Sequence, residues 1–434
     1  MSPSSSRPAV VVTGFGAVNA VGCGREPTAA ALASGTPAWS EVERPAGYHR
    51  RGGGARLAGL AAGHDLSAWV SAGAARRMSL GSKLAVAAAR MALADAGIVA
   101  GAEVGGKPTA MVFSNAFGPS MITEKILTQI ESEGPLAVSP ALFTESVANA
   151  PAAQVAIVCR ALGANVTVTQ REAGALIALA RAAGEVARGR AGYALVVAVD
   201  EVTPLLHAVF DRFGALSRPD AGGEEARPFD RRRNGFILGE GATALVVETA
   251  ACAAQRGARV LARFLGTASA FDPEAPATGW GSDPAALTPA LERLLARAGD
   301  VDAVVCGASG SVAGDRLEAH VLKAVWDGRP PRGESEGESR RLPPLLAPKA
   351  VLGEFGGAQL AAAVLALGGA PCGRTPGFSE VDPELGVTPY GGGDLAPSTL
   401  LISSLATGGA AAWAVLARAA GTLTPSPSPR GRGE

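Results

Sequence analysis

The 434-residue sequence has few of the residues that build metal sites and disulfide frameworks. Its five cysteines are scattered without a CxxC pair, and only four histidines accompany them. Neither a metal site nor a disulfide framework is therefore expected. The odd number of cysteines, together with an N-terminal segment that lacks a long apolar stretch, favours a reducing environment, and we expect a cytoplasmic protein.

The sequence also lacks an excess of charge of either sign. Thirty-nine basic residues balance 39 acidic residues, so the formal net charge is zero. Such a chain has no basic field to attract nucleic acid. No apolar run approaches the length needed to cross a membrane. We therefore expect neither a nucleic acid nor a membrane as a partner.

Apolar residues make up 47% of the chain and charged residues 18%, which is typical of a well-buried α/β protein. The length allows two core-forming halves or one large duplicated domain. Strand and helix patterns alternate, with strand–turn–helix units near 165–187 and 301–326. We expect two similar α/β halves that pack together, although their sequence identity is too weak to prove a duplication. The glycine loop GFGAVNAVG does not fit the GxGxxG pattern of dinucleotide sites.

One turn stands out because it has the setting of a nucleophile without the nucleophile. Val166 to Thr169 are strand formers, and the small residues Ala173, Gly174 and Ala175 allow a helix to begin close to neighbouring backbone. Nucleophiles are often placed on such strand-to-helix turns. The residue here is Glu172. A helix N-terminus can stabilise its carboxylate, but a carboxylate is a poor acyl-transfer nucleophile.

Several ordered blocks between residues 8 and 418 resemble the β-ketoacyl synthases. The blocks are VVVTGFGAVNAVG, RRMSLGSKLAVAAARMALADAG, SPALFTESVANAPAAQVA and, most specifically, RPFDRRRNGFILGEGATALVVE. The resemblance implies an α/β protein of the thiolase-like fold, in which two similar βαβαβ halves give five layers, α/β/α/β/α. It divides the chain into an N-terminal half (8–250), a C-terminal half (251–420) and a disordered tail (421–434) of low complexity.

The family's reactive positions are degenerate in this sequence. Its chemistry needs a cysteine nucleophile and two histidines that polarise a thioester carbonyl. The matching positions hold Glu172, Gly307 and Glu354, while Lys349 is retained. The closing glycine loop, Thr407, Gly408 and Gly409, lacks the family's gating phenylalanine.

This combination resembles the chain-length factors, the catalytically silent partners of ketosynthases in type II polyketide systems. It implies a heterodimer with an active ketosynthase whose acyl tunnel this chain shapes, in polyketide or related polyene or fatty-acid biosynthesis. Acyl groups arrive on a phosphopantetheinyl acyl carrier protein, and no further cofactor is implied. Typical chain-length factors carry glutamine at the nucleophile position, and Glu172 departs from that pattern.

Two other functions stay open. The chain could be a divergent β-ketoacyl-[acyl-carrier-protein] synthase or acyltransferase that uses Glu172, or an inert homodimeric scaffold. Glu172 is also explained as a structural carboxylate that meets Arg171, Lys349 or helix N–H groups. An inert, buried Cys306 and salt-bridged side chains at Arg231 to Arg233 are expected.

The resemblance also predicts which residues set the product's length and which strand pairs with the partner. Ungapped matching from Ser114 places Ser120, Thr123 and Leu127 on one helix face that lines the far end of the partner's tunnel. These side chains are smaller than the family's frequent aromatics, which predicts a deeper tunnel and a longer or linear product. An equally simple alternative makes Leu127 a core residue of an amphipathic helix. The pairing strand is Asn165 to Thr169.

Overall fold

The computed structural model describes residues 8–44, 54–328 and 341–419. Its strands are β1 (Val10–Asn19), β2 (Gly22–Cys23), β3 (Ser40–Glu41), β4 (Leu57–Gly59), β5 (Thr109–Ser114), β6 (Asn165–Val168), β7 (Tyr193–Asp200), β8 (Leu238–Gly239), β9 (Gly241–Thr249), β10 (Ala262–Phe271), β11 (Ala303–Val305), β12 (Leu345–Leu346), β13 (Thr399–Leu405) and β14 (Ala410–Ala417). Its helices are α1 (Arg25–Ser34), α2 (Ala72–Ala75), α3 (Leu80–Asp95), α4 (Ser120–Glu133), α5 (Pro140–Phe143), α6 (Ala150–Cys159), α7 (Gly174–Ala187), α8 (Pro204–Phe213), α9 (Ala250–Gln255), α10 (Thr288–Ala298), α11 (Val312–Asp327), α12 (Lys349–Leu352) and α13 (Ala358–Leu367).

The main sheet consists of two five-strand sets that repeat one topology. The N-terminal set has the order β6-β5-β7-β9-β1, and the C-terminal set has the order β12-β11-β13-β14-β10. In the N-terminal set, β6, β5 and β7 are parallel, and β9 is antiparallel to both β7 and β1. In the C-terminal set, β12, β11 and β13 are parallel, and β14 is antiparallel to both β13 and β10. The first strands of the two sets pair over Val10–Val12. The shared order shows the internal likeness that sequence identity was too weak to establish.

Helices cover both faces of each strand set and also fill the space between the sets. α7 and α13 lie in the middle, where they pack against inward residues of β5, β7, β11 and β13. α3 and α6 cover the outer face of the N-terminal set, and α10 and α11 cover that of the C-terminal set. Successive strand residues point to opposite faces, so each strand contributes to two layers. The arrangement confirms the expected α/β/α/β/α architecture.

Small residues set how closely α3 approaches β1. A Cβ at Gly14 or Gly16 would lie 2.1 Å from a backbone carbonyl of α3. Only glycine permits that approach. The near-uniform burial of α13, whose sequence is AQLAAAVLAL, has the same basis, because alanines let it fit between two sheets.

Several element boundaries differ from those that the sequence predicts. The sequence predicts one helical stretch from 139 to 159, whereas the structure has two helices, α5 and α6, separated by residues 144–149. It predicts an irregular segment over 40–75, whose described part holds the short elements β3, β4 and α2. It also predicts a strand over 258–268, but β10 begins at Ala262, because residues 258–261 have no ladder pairing.

Helix α8 was not predicted, although its signals were in the sequence. Thr203 caps it, since its Oγ1 accepts from the N–H of Leu206 at 3.1 Å. Pro204 occupies the first turn, and Gly214 ends the helix at φ 71°. These are ordinary start and stop residues, and the charged composition of the following segment obscured them.

The proposed division at 250/251 falls where α9 begins, between the last strand of one set and the first strand of the other. The predicted tail 421–434 lies outside the described residues. Within the ranges that are described, no helix is both long enough and apolar enough to cross a membrane.

Candidate functional site

The candidate site lies where equivalent turns of the two halves face one another. Glu172 follows the third strand of the N-terminal set, β6, and precedes the central helix α7. Glu354 follows the third strand of the C-terminal set, β12, and precedes the central helix α13. Because the carboxyl ends of parallel strands meet at one edge of a sheet, the repeated topology brings both turns to the middle of the molecule.

Glu172 is held by the closing loop. Its Oε2 accepts from the Thr407 N–H at 3.2 Å, and its backbone carbonyl accepts from Ser404 Oγ at 2.6 Å. Burial raises the pKa of Glu172 to about 7, and the nearby Glu354 carboxylate acts in the same direction. Of the three kinds of partner expected for Glu172, Arg171 makes a different contact, since its guanidinium donates to Thr407 Oγ1 at 2.7 Å.

Glu354, by contrast, has a counter-ion. The buried Lys349 ammonium donates to Glu354 Oε1 in a close ion pair. The Lys349 side chain is only 1% exposed, and that of Glu354 is 12% exposed. The retained lysine therefore neutralises the carboxylate of the C-terminal turn rather than Glu172, although its charge also lowers the pKa of Glu172.

Three further buried carboxyls extend this cluster, and none of them was predicted as a site residue: Asp200 and Glu318 lie near Lys349, and Asp315 lies near Glu318. Asp200, at the end of β7, accepts from the Ala116 N–H at 2.7 Å and the Gly356 N–H at 2.9 Å. Burial raises its pKa to about 6. Their common signal in the sequence is an acidic residue at the end of a buried strand or in the first two turns of the following helix, which is a frequent and unspecific pattern.

The other two buried carboxyls lie in the first turns of α11. Asp315 accepts from backbone N–H groups of Phe229, Ser309 and Gly310, so it ties the RPFD segment to the turn after β11. Glu318 accepts from the Gly307 N–H at 2.9 Å. Burial raises the pKa of Asp315 to about 6 and that of Glu318 to about 7. They brace loops rather than cap their own helix.

Gly307, which the sequence resemblance matches to the first histidine, lies against the Gln359 side chain. A Cβ at this position would lie 3.3 Å from Gln359 Nε2 and 3.3 Å from the Ser403 carbonyl. Gln359 belongs to α13 and is 2% exposed, and its Nε2 donates to Ser404 Oγ at 3.3 Å. Sequence reasoning did not find Gln359, because nothing local relates α13 to the turn after β11.

The closing loop packs directly on the turn that carries Glu172. Gly408 and Gly409 have φ values of 83° and 91°, which favour glycine. A Cβ at Gly409 would also lie 2.3 Å from the Asp272 carbonyl. With the two contacts from Thr407, the loop and the turn form one unit.

Carboxylates and aromatic rings line a pocket with about 420 Å³ of empty space in front of this turn. The carboxylates are Glu172, Asp200, Glu201 and Glu354, and the rings are Phe117, Phe210, Phe236 and Phe355. No cysteine or histidine of the described chain is among its lining residues. The pocket therefore offers neither a thiolate nucleophile nor an imidazole donor, whereas the carboxyl of Glu172 can hold or release a proton near neutral pH.

Ser120, Thr123 and Leu127 lie on α4 and are not among the residues that line this pocket. Ser120 Oγ is 3.4 Å from Glu201 Oε1, and Thr123 Oγ1 donates to the Pro119 carbonyl at 3.2 Å. Leu127 is 49% exposed, so it is not a core residue of the single chain. The role of these three residues in setting product length stays a prediction.

The remaining candidates are structural. Cys306 is fully buried, and burial raises the pKa of its thiol well above the usual range. Arg232 pairs with Asp230 at 2.9 Å and Arg233 with Asp382 at 2.5 Å, as expected of a salt-bridged segment. Within the described chain, no group of three or more His, Cys, Asp or Glu side chains has the geometry of a metal site.

Comparison with known proteins agrees with this geometry. The family model described as "Beta-ketoacyl synthase, N-terminal domain" matches residues 7–253. 3-Oxoacyl-[acyl-carrier-protein] synthase 2 of Vibrio cholerae is 31% identical over 263 residues, which cover 60% of this chain and 63% of that protein. The chain thus spans less than two thirds of that relative's length.

Two matches extend over more of the chain. The Streptomyces halstedii protein named "Putative polyketide beta-ketoacyl synthase 2" is 30% identical over 362 residues, covering 82% of each chain. A solved structure, "The ishigamide ketosynthase/chain length factor", superposes with a TM-score of 0.83 at 26% identity, covering 95% of this chain and all of that chain.

Proposed function

The chain belongs to the β-ketoacyl synthase family, and we propose that within it this protein is the non-catalytic partner of a separate, active ketosynthase. In this role it is a chain-length factor, which forms a heterodimer with the ketosynthase and shapes its acyl tunnel in polyketide or related polyene or fatty-acid biosynthesis. Acyl groups reach the pair on the phosphopantetheine arm of an acyl carrier protein, and no added cofactor is needed.

The observation that carries the proposal is the chemistry of the pocket. Acyl transfer to carbon needs a nucleophile that holds the acyl group and donors that stabilise the oxyanion. The turn after β6 presents the Glu172 carboxylate, and the turn after β12 presents Glu354 already paired with Lys349. Gly307 has no side chain and borders Gln359. None of the three positions supplies the required group.

The outer edge of the N-terminal strand set supports a heterodimer. Among the described strands, β6 pairs with β5 alone, and an unpaired strand edge is a template for pairing with another chain. Large apolar side chains are exposed along the connection that precedes β6, including Leu136, Phe143 and Leu162. Exposed apolar surface of this kind is typical of an interaction site.

Co-expression with the intact ketosynthase encoded nearest to it, followed by size-exclusion chromatography and a condensation assay, tests the proposal. We expect a one-to-one complex that condenses acyl groups, and no condensation or malonyl decarboxylation by the purified chain alone. A stable monomer at micromolar concentration that ignores the ketosynthase would contradict the assignment.

A second function is favoured by one observation, the pKa of Glu172 near 7 beside an open pocket. A carboxyl with that pKa suits general acid–base catalysis, as in a divergent β-ketoacyl synthase or acyltransferase. Turnover of acyl carrier protein substrates by the isolated chain, lost in E172A and in E172Q, would establish this function and overturn the silent-subunit assignment.

A further inference from the structure

We propose that Gln359 is a positioning residue that keeps the degenerate site closed to condensation chemistry, so that restoring cysteine and two histidines is insufficient to rebuild it. The inference rests on the proposed function, because that function identifies this site as one that does not condense acyl groups. The spatial argument comes from the surroundings of Gly307, Ser404 and Glu172.

Space rather than backbone conformation explains the lack of a side chain at Gly307. Its φ is not in the left-handed region, so an L-residue could adopt its backbone. A Cβ there would nevertheless lie 3.3 Å from both Gln359 Nε2 and the Ser403 carbonyl. Of these two neighbours only the Gln359 side chain can be removed by substitution, and an imidazole needs far more room than one methyl group.

Gln359 also connects the parts of the site. Its Nε2 donates to Ser404 Oγ, and Ser404 Oγ in turn donates to the backbone carbonyl of Glu172. The Gln359 side chain, on helix α13 of the C-terminal half, is therefore linked to the turn that carries Glu172 through the Ser404 hydroxyl alone. Gln359 Oε1 has no hydrogen-bond partner in the described chain. An unpaired buried acceptor destabilises a fold, so packing alone does not account for an amide here.

A double-mutant cycle tests whether Gln359 is the obstacle. G307A should lower the thermal unfolding midpoint by about 2 °C in the parent chain, because the added methyl overpacks the site. In the Q359A background the same substitution should lower the midpoint clearly less, because only the backbone contacts, with the Ser403 carbonyl at 3.3 Å, then remain. G356A is the matched control, because a Cβ at Gly356 makes only ordinary contacts, 3.5 Å to Asp200 Oδ2, and its effect should not depend on Q359A.

The chemical consequence is tested by comparing E172C/G307H with the same protein carrying Q359A in addition, so that the only introduced imidazole is the one at position 307. An imidazole that reaches the introduced thiol lowers its pKa. The pH midpoint for alkylation of that thiol by iodoacetamide should therefore fall by at least about 1 pH unit only when Q359A is present. The parent chain gives the background from the native cysteines.

Equal alkylation midpoints in the two variants, or equal effects of G307A with and without Q359A, would overturn the inference. The cycle measures stability alone, so it remains decisive if the histidine variants do not fold. It also separates this inference from the proposed function, because a catalytically active parent chain would leave the outcome of the cycle unchanged.

Discussion

The two halves share one strand order but end in different edges. β12, the outer strand of the C-terminal set, is buried and covered by the chain itself, since the Tyr390 N–H donates to the Leu345 carbonyl at 2.7 Å. β6, the outer strand of the N-terminal set, is partly exposed. The connection before β6 exposes a set of large apolar side chains: Phe117, Leu127, Ile130, Leu136, Phe143, Val147, Ile157 and Leu162. The described part of the connection before β12 exposes only Val312.

The turns that follow these strands differ in the same sense. Glu354 has a lysine counter-ion, while the equivalent Glu172 accepts only a backbone N–H and carries a raised pKa. In the C-terminal half, therefore, the outer strand is covered and the carboxylate of the turn is paired within the chain itself. In the N-terminal half, the outer strand has no second neighbour among the described residues, and Glu172 has no ion-pair partner there. We therefore expect a partner chain to pair with the N-terminal half.

Blocking the β6 edge should have the largest effect. The carbonyls of Ala164 and Val168 accept from β5, so by alternation the backbone groups of Asn165 and Thr167 face outward. T167P removes one outward N–H and would leave an acceptor of the partner unpaired, which costs about 1–3 kcal/mol and corresponds to about 5- to 150-fold weaker association with the ketosynthase. T167V, which keeps the N–H, should associate normally in the same titration. Unimpaired association of T167P would show that this edge does not pair.

Removing Lys349 should destabilise the turn that carries Glu354. K349M leaves the Glu354 carboxylate buried without its counter-ion, and we expect a loss of about 3–5 kcal/mol in the free energy of unfolding at pH 8. The loss should shrink at pH 5, where the neighbouring carboxyls take up protons. Urea unfolding at both pH values measures it. K349M/E354M is the control and should recover much of the loss, and an equally unstable double variant would argue against a charge effect.

Stability should fall as pH rises through neutrality. The folded-state pKa is raised to about 7 for Glu172 and Glu318 and to about 6 for Asp200 and Asp315. A carboxyl with a raised folded-state pKa contributes its full stabilisation of the folded chain below its pKa in the unfolded chain. That contribution is lost as the pH rises through its folded-state pKa. His207, with its pKa lowered to about 4 by burial, opposes this below pH 6.5.

Because four carboxyls outnumber this one histidine, we expect the free energy of unfolding to drop by at least about 1 kcal/mol per pH unit between pH 5 and 7. Urea midpoints across that range measure the slope. A midpoint that rises with pH over the same range would mean that these carboxyls ionise normally in the folded chain.

The two equivalent glutamates should respond oppositely to neutralisation. E172Q removes a carboxyl whose ionised form is unfavourable in the folded chain, so at pH 8 it should stabilise the chain by about 1–2 kcal/mol. This range is reduced because the side chain is partly exposed. At pH 5, where the carboxyl is protonated, the substitution should change stability little. E354Q strips Lys349 of its partner and should destabilise at pH 8. Thermal unfolding of both variants provides the comparison, and a shared sign would remove the distinction between the turns.

The smallest effect on stability is expected at the predicted gate. L127F or S120F in the reconstituted pair should shorten the product, because a bulky ring closes a tunnel that smaller side chains leave open. Stability should change little, since Leu127 is already half exposed. T128F, on the neighbouring face of α4, is the matched control. Unchanged product length from an intact complex would show that these residues do not set the limit.

The sequence by itself determined the family and most of the alternating strands and helices, and it predicts that the reactive residues are replaced. These features lie in contiguous motifs, such as RPFDRRRNGFILGEGATALVVE and the turn around Glu172, where spacing along the chain is enough. It also carried the cap and stop of α8, which composition obscured. The break between α5 and α6 was less evident, because both flanking segments have helical composition.

Only the tertiary structure decided what surrounds the degenerate positions. Glu172 and Glu354 are 182 positions apart in the chain and are brought together because the two strand sets repeat one order. The contact of Gln359 with Gly307, the hydrogen bond from Gly356 to Asp200 and the approach of Glu318 to Lys349 likewise depend on contacts between segments that are distant in the sequence. Burial and proximity raise the pKa values there, and neither quantity is encoded in local sequence.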